Sequence, residues 1–373
     1  MKYKISLKNK ISKNTQKVFL EKAYYLNENI NKITFKKNLM IINTDKKINF
    51  KKLKKTTISY LEIILKTSER TFDEVIYESR FITPTLKKSP YNLLIKKQYI
   101  KKISEGIFSI EGEFLKLKNY IDNTFNKIIS KKSYQNTKYS GVVPLSSIID
   151  NNYLNSFTNH CVFISNVKRN LSSINDVSKL KILNLKGLKK NLSEPDQMLS
   201  PTVCFNCFES FKNKKINKQV KITAIENCHR YESLNYKTLE RLKIYSMREW
   251  IFMGNQNFVK INLNDLIKKF KIIFNRWKIK YRICTASDPF FSNKEIQKKI
   301  FQYSNKLKYE LQIYLPFEKK WLAVASFNNH LDTMIKSYNI KSTNKKKLYS
   351  GCVGVGYERL LYGIFSQKGI NGL

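Results

Sequence analysis

Histidine is almost missing from this chain of 373 residues: there are three, at positions 160, 229 and 330. They are too few and too scattered for a catalytic site built on imidazole. Long apolar runs are missing too. No stretch approaches the roughly 18 residues that a membrane-spanning helix needs, so no membrane partner is expected. The first residues, Met1-Lys2-Tyr3-Lys4-Ile5-Ser6-Leu7-Lys8, lack the apolar segment of a secretory signal. Six cysteines without such a signal point to reduced thiols or metal ligands and a cytoplasmic protein, not a disulfide scaffold. There is no internal repeat and no separate basic tail. What is present suffices for a sizeable core: 42% of the residues are hydrophobic and 13% aromatic, which excludes global disorder. The length accommodates one large domain of about 250–280 residues and a smaller one.

Acidic residues are also scarce, 28 against 70 basic ones, for a formal charge of +42. Such a charge suits a nucleic acid or an acidic protein partner. The excess is almost all lysine, however, and it comes with abundant Asn and Ile. Drift toward AT-rich codons produces the same composition, so the charge does not choose a partner. Against that background arginine is informative: only nine are present, and four of them, Arg230, Arg241, Arg248 and Arg359, fall in three short segments. Arg presents a planar fork that grips phosphate bidentately and stacks on rings, which Lys cannot imitate. A structural ion pair would retain Arg equally well.

Residues 1–95 read as a separate module. Ile33-Thr34-Phe35 and Leu39-Met40-Ile41-Ile42 suggest strands, and Ser59–Leu65 fits either a strand or a helix. No nucleotide or metal motif occurs there. Pro84 and Pro90 mark a linker. Beyond it, Phe114, Leu117, Ile121, Phe125 and Ile128 recur at helical spacing, followed by the apolar segment Gly141–Leu145 that contains Pro144. Val220, Ile222 and Ala224 alternate with polar residues as in a strand, as do Glu249, Ile251 and Met253 with Trp250 and Phe252. A polar loop separates the two. Leu263, Leu266, Ile267, Phe270, Ile273, Phe274 and Trp277 form a second helical stripe, read as core.

Arg230 and Glu232, two apart on a strand, project to one face. Gly354 and Gly356 allow close backbone approach or positive φ, and Arg359 follows in the first turn of a helix. Cys204-Phe205-Asn206-Cys207 is a Cys-x-x-Cys, which could open a four-cysteine structural site or be a redox pair. A second pair is missing, since Cys161, Cys228 and Cys284 stand alone. Cys228 is read as buried and inert.

The segments Cys228-His229-Arg230-Tyr231-Glu232 and Ser350-Gly351-Cys352-Val353-Gly354-Val355-Gly356-Tyr357-Glu358-Arg359 resemble motifs 2 and 3 of the class II aminoacyl-tRNA synthetases, with His229 standing where Phe is usual. Arg241–Glu249, with Cys352, resembles a zinc-dependent branch that holds the atypical seryl-tRNA synthetases and the amino acid:carrier-protein ligases; position by position the carrier-protein ligases are the better likeness. Residues 100–373 are covered and 1–95 are not. The resemblance implies an α+β fold with an antiparallel sheet flanked by helices, a small N-terminal module, and a motif 1 dimer element around Pro144, hence a homodimer. It implies zinc on Cys204, Glu249 and Cys352, from the contexts Pro201-Thr202-Val203-Cys204, Met247-Arg248-Glu249 and Gly351-Cys352-Val353. Three such ligands leave zinc's fourth position open, as in a substrate site. ATP and magnesium are implied as further cofactors. Arg230 would meet the α-phosphate, Glu232 the adenine amino group, and Arg359 the adenine face. Arg241 and Leu242 would cover the nucleotide, and Ala323, Val324, Ala325 and Ser326 would touch it. Two further stretches, Ala286–Phe291 and Ser326–His330, also resemble the family. Phe290 falls where it walls the amino-acid pocket, which favours a small substrate such as glycine or alanine. The implied reaction is activation of that amino acid to its adenylate and transfer to the phosphopantetheine thiol of a carrier protein. The alternatives are tRNA charging, for which the rival seryl enzymes carry a larger N-terminal domain, and a non-catalytic binding paralogue.

Overall fold

The computed structural model describes residues 1–68, 73–130, 134–180, 185–232, 236, 238–288 and 296–370. The chain opens with β1 (Lys2–Ser6), α1 (Lys13–Ala23), β2 (Ile30–Lys36), β3 (Leu39–Thr44) and α2 (Phe50–Ser68). The three strands form a small antiparallel sheet in the order β1-β3-β2. Its apolar face (Ile5, Ile33, Met40, Ile42) packs on Phe19, Leu53, Leu61 and Ile64 of the two helices, a core of its own. Ser59–Leu65, ambiguous in sequence, is helical. This unit carries 17 lysines and 4 acidic residues over positions 1–68. Val75–Glu78, inside the 1–95 span expected to be separate, is β4 and already pairs with the large sheet. Pro84 lies in irregular chain and Pro90 opens a short helix, where its missing N–H does no harm.

The larger unit is an eight-stranded mixed sheet. Its helices and strands are α3 (Gly112–Phe125), β5 (Gln135–Asn136), α4 (Val203–Ser210), β6 (Val220–His229), β7 (Ile244–Gly254), α5 (Gln256–Arg276), β8 (Tyr281–Thr285), β9 (Lys308–Leu315), β10 (Lys320–Leu331), β11 (Tyr349–Gly356) and α6 (Tyr357–Lys368). The strand order is β4-β8-β9-β10-β11-β7-β6-β5, and every neighbouring pair is antiparallel except β6 with β5. This is the α+β architecture expected, with β6 and β7 as the strand–loop–strand of motif 2.

The helical stripes read from sequence bury against one face. Phe114, Leu117, Ile121 and Phe125 of α3 meet Trp250 and Phe252 of β7, Val353 and Val355 of β11, and Phe270 and Phe274 of α5. Each such side chain taken from water contributes roughly 1.5–3 kcal/mol. Asn255 caps α5 by accepting the N–H of Phe258 at 2.8 Å. Because side chains alternate along β7, Glu249, Ile251 and Met253 point to the opposite face. There Ile251, Met253 and Cys352 pack with Cys204, Phe205, Cys207 and Phe208 of α4. The sheet is therefore covered on both sides, and Cys204, Glu249 and Cys352 lie on the side opposite α3 and α5.

One expectation is corrected. Gly354 and Gly356 sit in β11 itself, not in a turn, and neither has positive φ. Gly354 lies directly across the strand pair from Glu249, where a Cβ would make only an ordinary contact, 3.4 Å from Glu249 Cγ.

Candidate functional site

Two strands and one helix bring Cys204, Glu249 and Cys352 together from positions far apart in sequence. Glu249 lies on β7, Cys352 lies opposite its neighbour Ile251 on β11, and Cys204 descends from the first turn of α4. All three are buried, and one ligand atom from each lies within 4.8 Å of the others. Thr202, the residue before α4, donates its hydroxyl to Glu249 Oε1, which leaves Oε2 buried without a partner. Burial, and after it the negative charge of Cys352, push the Glu249 carboxyl up to about 8. The interaction between the two sulfurs draws Cys352 well below the usual thiol range and pushes Cys204 well above it. A buried set of two thiols and a carboxylate, with one carboxylate oxygen orphaned, is a donor set that a divalent cation satisfies, and the mixed S/O ligands suit zinc. Cys207 is elsewhere. It faces Tyr139 within the apolar cluster under α4, so the Cys-x-x-Cys is not a pair of ligands.

The surroundings of Cys352 escaped the sequence reading. Asn328 Nδ2 and His330 Nε2 each lie 3.5 Å from its sulfur, and His330 Nδ1 lies 3.2 Å from Ser350 Oγ. Although burial opposes its charge, the Cys352 thiolate raises the His330 pKa. The sequence set His330 aside as isolated; Cys352, 22 residues on, is brought beside it by the β10–β11 pairing. A partly buried ion pair, Lys308 Nζ with Asp288 Oδ1 at 2.5 Å, borders the same region, with Gln302 Nε2 on the other Asp288 oxygen at 2.7 Å. Asp288 also raises the His330 pKa. Glu226, another buried acid missed in sequence, is pushed up to about 8 by burial and then by Glu249.

Beyond the trio lie three arginines around one carboxylate. Arg230 Nε donates to Pro201 O at 3.1 Å, and its guanidinium lies over the Tyr245 ring, 5.4 Å from the centroid. Among the described residues its two Nη nitrogens make no hydrogen bond. Arg241 Nη1 is 3.6 Å from Glu232 Oε2. Arg359, in the first turn of α6, donates through Nε to Glu240 O at 2.6 Å and through Nη1 to Ala323 O at 3.4 Å. Burial, then the charge of Arg241, draw the Arg359 guanidinium below its ordinary pKa, and Arg230 adds to this. Like charges crowded at this density mark a place for a polyanion. His160 Nε2 lies 3.9 Å from the other Glu232 oxygen, and Tyr25 of the small unit donates to the Tyr231 carbonyl at 3.4 Å.

Other candidates fall outside this cluster. Arg248, one residue before Glu249, points through the opposite face. It grips Asp122 of α3 with Nε at 2.6 Å and Nη2 at 2.9 Å, and its Nη1 donates to Thr223 at 3.1 Å. It is a structural ion pair. Leu242 is buried in the main core, as are Val324 and Ala325, whereas Ser326 stays near Asn328. Phe290 lies outside the described residues.

Residues 188–368 match the tRNA synthetase class II core domain (G, H, P, S and T). The type-2 serine–tRNA ligase of Methanopyrus kandleri is 21% identical over 266 residues, 66% of this chain and 50% of that protein. Amino acid–[acyl-carrier-protein] ligase 1 of Bradyrhizobium diazoefficiens is 28% identical over 181 residues, 48% of this chain and 55% of that one. The crystal structure of M. kandleri SerRS with A. aeolicus tRNASec superposes with a TM-score of 0.72 at 15% identity, covering 99% of this chain and 74% of that one. This chain spans about half the length of the curated relatives it matches. Residues 188–368 are thus similar to a class II synthetase core, and the chain is similar at low identity to both kinds of ligase.

Proposed function

On that class II core, we propose that the chain activates a small amino acid with ATP and hands the aminoacyl group to a macromolecular acceptor. The observation that carries the reading is the adjacency of two unlike polar clusters on one sheet face: a Cys-Glu-Cys trio and an arginine cluster around Glu232. Cys204, Glu249 and Cys352 would hold zinc, which when bound supplies a Lewis acid for the substrate's free amine. Arg230, in the neighbouring cluster, would be available to the phosphate that the substrate's carboxylate attacks. In that reaction a carboxylate oxygen would attack the α-phosphorus, the bond to the bridging oxygen would break, and pyrophosphate would leave. Arg230, oriented by Pro201 O and Tyr245 with both Nη groups to spare, would bind the charge growing on the α-phosphate. Arg359 and Arg241 would hold the nucleotide from either side, and Glu232 would read its amino group once Arg241 turns to the phosphates.

The acceptor is the finer part of the proposal. The 99% coverage by a synthetase crystallised with a tRNA, small basic unit included, favours the 3′ end of a tRNA. The match to the carrier-protein ligase supports a second reading, transfer to a phosphopantetheine thiol. We place the reaction in the cytoplasm, where thiols stay reduced, and in a homodimer formed near α3 and Pro144. Pyrophosphate exchange run with each amino acid in turn tests the first half. Arg230→Lys, which keeps the charge and loses the fork, should cut exchange about 10²-fold; a near-wild-type rate would return Arg230 to a structural role. Total tRNA and a holo-carrier protein, offered side by side to the charged enzyme, decide the second half.

A further inference from the structure

We infer that His330, together with Asn328, is a positioning residue for the metal: both donate a hydrogen bond to the Cys352 thiolate, fix its direction and draw charge from it, leaving the bound ion electrophilic toward an amine. This rests on the proposed reading of the trio as the amine-binding site.

The two halves of the trio are not treated alike. Cys352 Sγ has two N–H donors at 3.5 Å, Asn328 Nδ2 and His330 Nε2. Besides its contact with Cys352, Cys204 Sγ has the Thr202 hydroxyl at 3.6 Å, a group already committed to Glu249. Asn328 stands directly opposite Cys352 across the β10–β11 pair, so regular pleating aims it at the sulfur. His330 reaches it through an irregularity. Asn329 pairs with Gly351 and Leu331 with Ser350, so His330 is the extra residue of a bulge. The bulge puts Leu331 at φ +52°, a left-handed conformation unfavourable for a leucine, and Asn329 Oδ1 accepts the Leu331 N–H at 3.0 Å to hold it. Bulges next to sites re-aim a side chain, and here the one re-aimed is the imidazole. Ser350 Oγ, 3.2 Å from Nδ1, fixes the ring and leaves Nε2–H for the sulfur; the Phe208 ring packs edge-on at 5.8 Å. Nε2 is not among the donor atoms that converge within 4.8 Å, so His330 serves a ligand and is not a fourth one.

Groups of this kind, hydrogen-bonded to a metal ligand, typically change metal affinity about 10–100-fold when removed. The test uses the full chain loaded with cobalt(II), whose thiolate-to-metal charge-transfer band reports the electron density on sulfur. His330→Phe keeps a ring and loses the N–H. Its band should move to lower energy, its zinc affinity should fall about 10-fold or more, and the KM for the amino acid should rise more than kcat falls. His330→Gln, which restores an N–H donor, should recover much of each effect. Asn328→Ala, on the regular part of the strand, should shift the band in the same direction. If wild-type chain takes up cobalt and the His330→Phe and Asn328→Ala proteins keep its spectrum and zinc affinity, the inference is overturned while the metal site stands. If wild-type chain takes up no cobalt, the metal site itself is wrong and the inference goes with it.

Discussion

Glu249→Gln should make the metal-free protein more stable and the zinc-loaded protein less stable, a reversal that a merely structural glutamate would not show. The carboxyl is 2% exposed, and its pKa rises from 4.5 to about 8 on folding, first through burial and then through Cys352. A carboxylic acid held neutral by the fold makes folding take up a proton. Its contribution is fully present below pH 4.5 and is lost as pH rises toward 8. The loss accumulates at about 1.4 kcal/mol per pH unit, so at about pH 7.5 its ceiling is about 4 kcal/mol, and about 2–4 kcal/mol is a fair expectation. Gln has nearly the same shape and escapes this term. Spread over the entropy of unfolding of a unit this size, that is roughly 3–7 °C in Tm. Zinc inverts the sign: the wild-type carboxylate is then a ligand, whereas the amide binds weakly and leaves two thiols. The assay is thermal unfolding of both proteins at about pH 5 and pH 7.5, in chelator and in excess zinc. In chelator, the variant should lead at the higher pH and match wild type at the lower. Equal zinc stabilisation of both proteins, or a variant that trails wild type in chelator at both pH values, would refute the reasoning.

Asp122→Asn should destabilise the chain by about 3 kcal/mol, because Arg248 would keep its charge with 4% exposure and lose a bidentate partner; denaturant unfolding showing less than about 1 kcal/mol would mean the pair contributes little. Gly351→Ala places a Cβ 2.6 Å from Phe252 Cε2 and 2.9 Å from the Asn328 carbonyl oxygen. The ring can yield and the backbone cannot, so β10 and β11 should part. A loss of about 1–3 kcal/mol is expected, together with weaker zinc binding; an unchanged zinc titration would separate the strand spacing from the site.

The sequence by itself determined the elements. Apolar spacing of three and four wrote α3 and α5, and alternation wrote β6 and β7, because these periods are properties of the local backbone; the strand read as carrying Arg230 and Glu232 ends at His229, just before them. The same parity, applied one residue further along β7, would have sent Arg248 away from Glu249 and toward a structural partner. That signal was present and unused. Tertiary structure alone decided the rest. Cys204, Glu249 and Cys352 converge only because β11 lies beside β7 and α4 crosses above them, contacts between residues 45 to 148 positions apart that no local pattern encodes. Gly354 lies across the strand pair from Glu249 and does not use the freedom of its own φ. His330 looked solitary because its partner is supplied by strand pairing, and its aim by a bulge of one residue. Register across a sheet, more than any property of the residues themselves, made it part of the site.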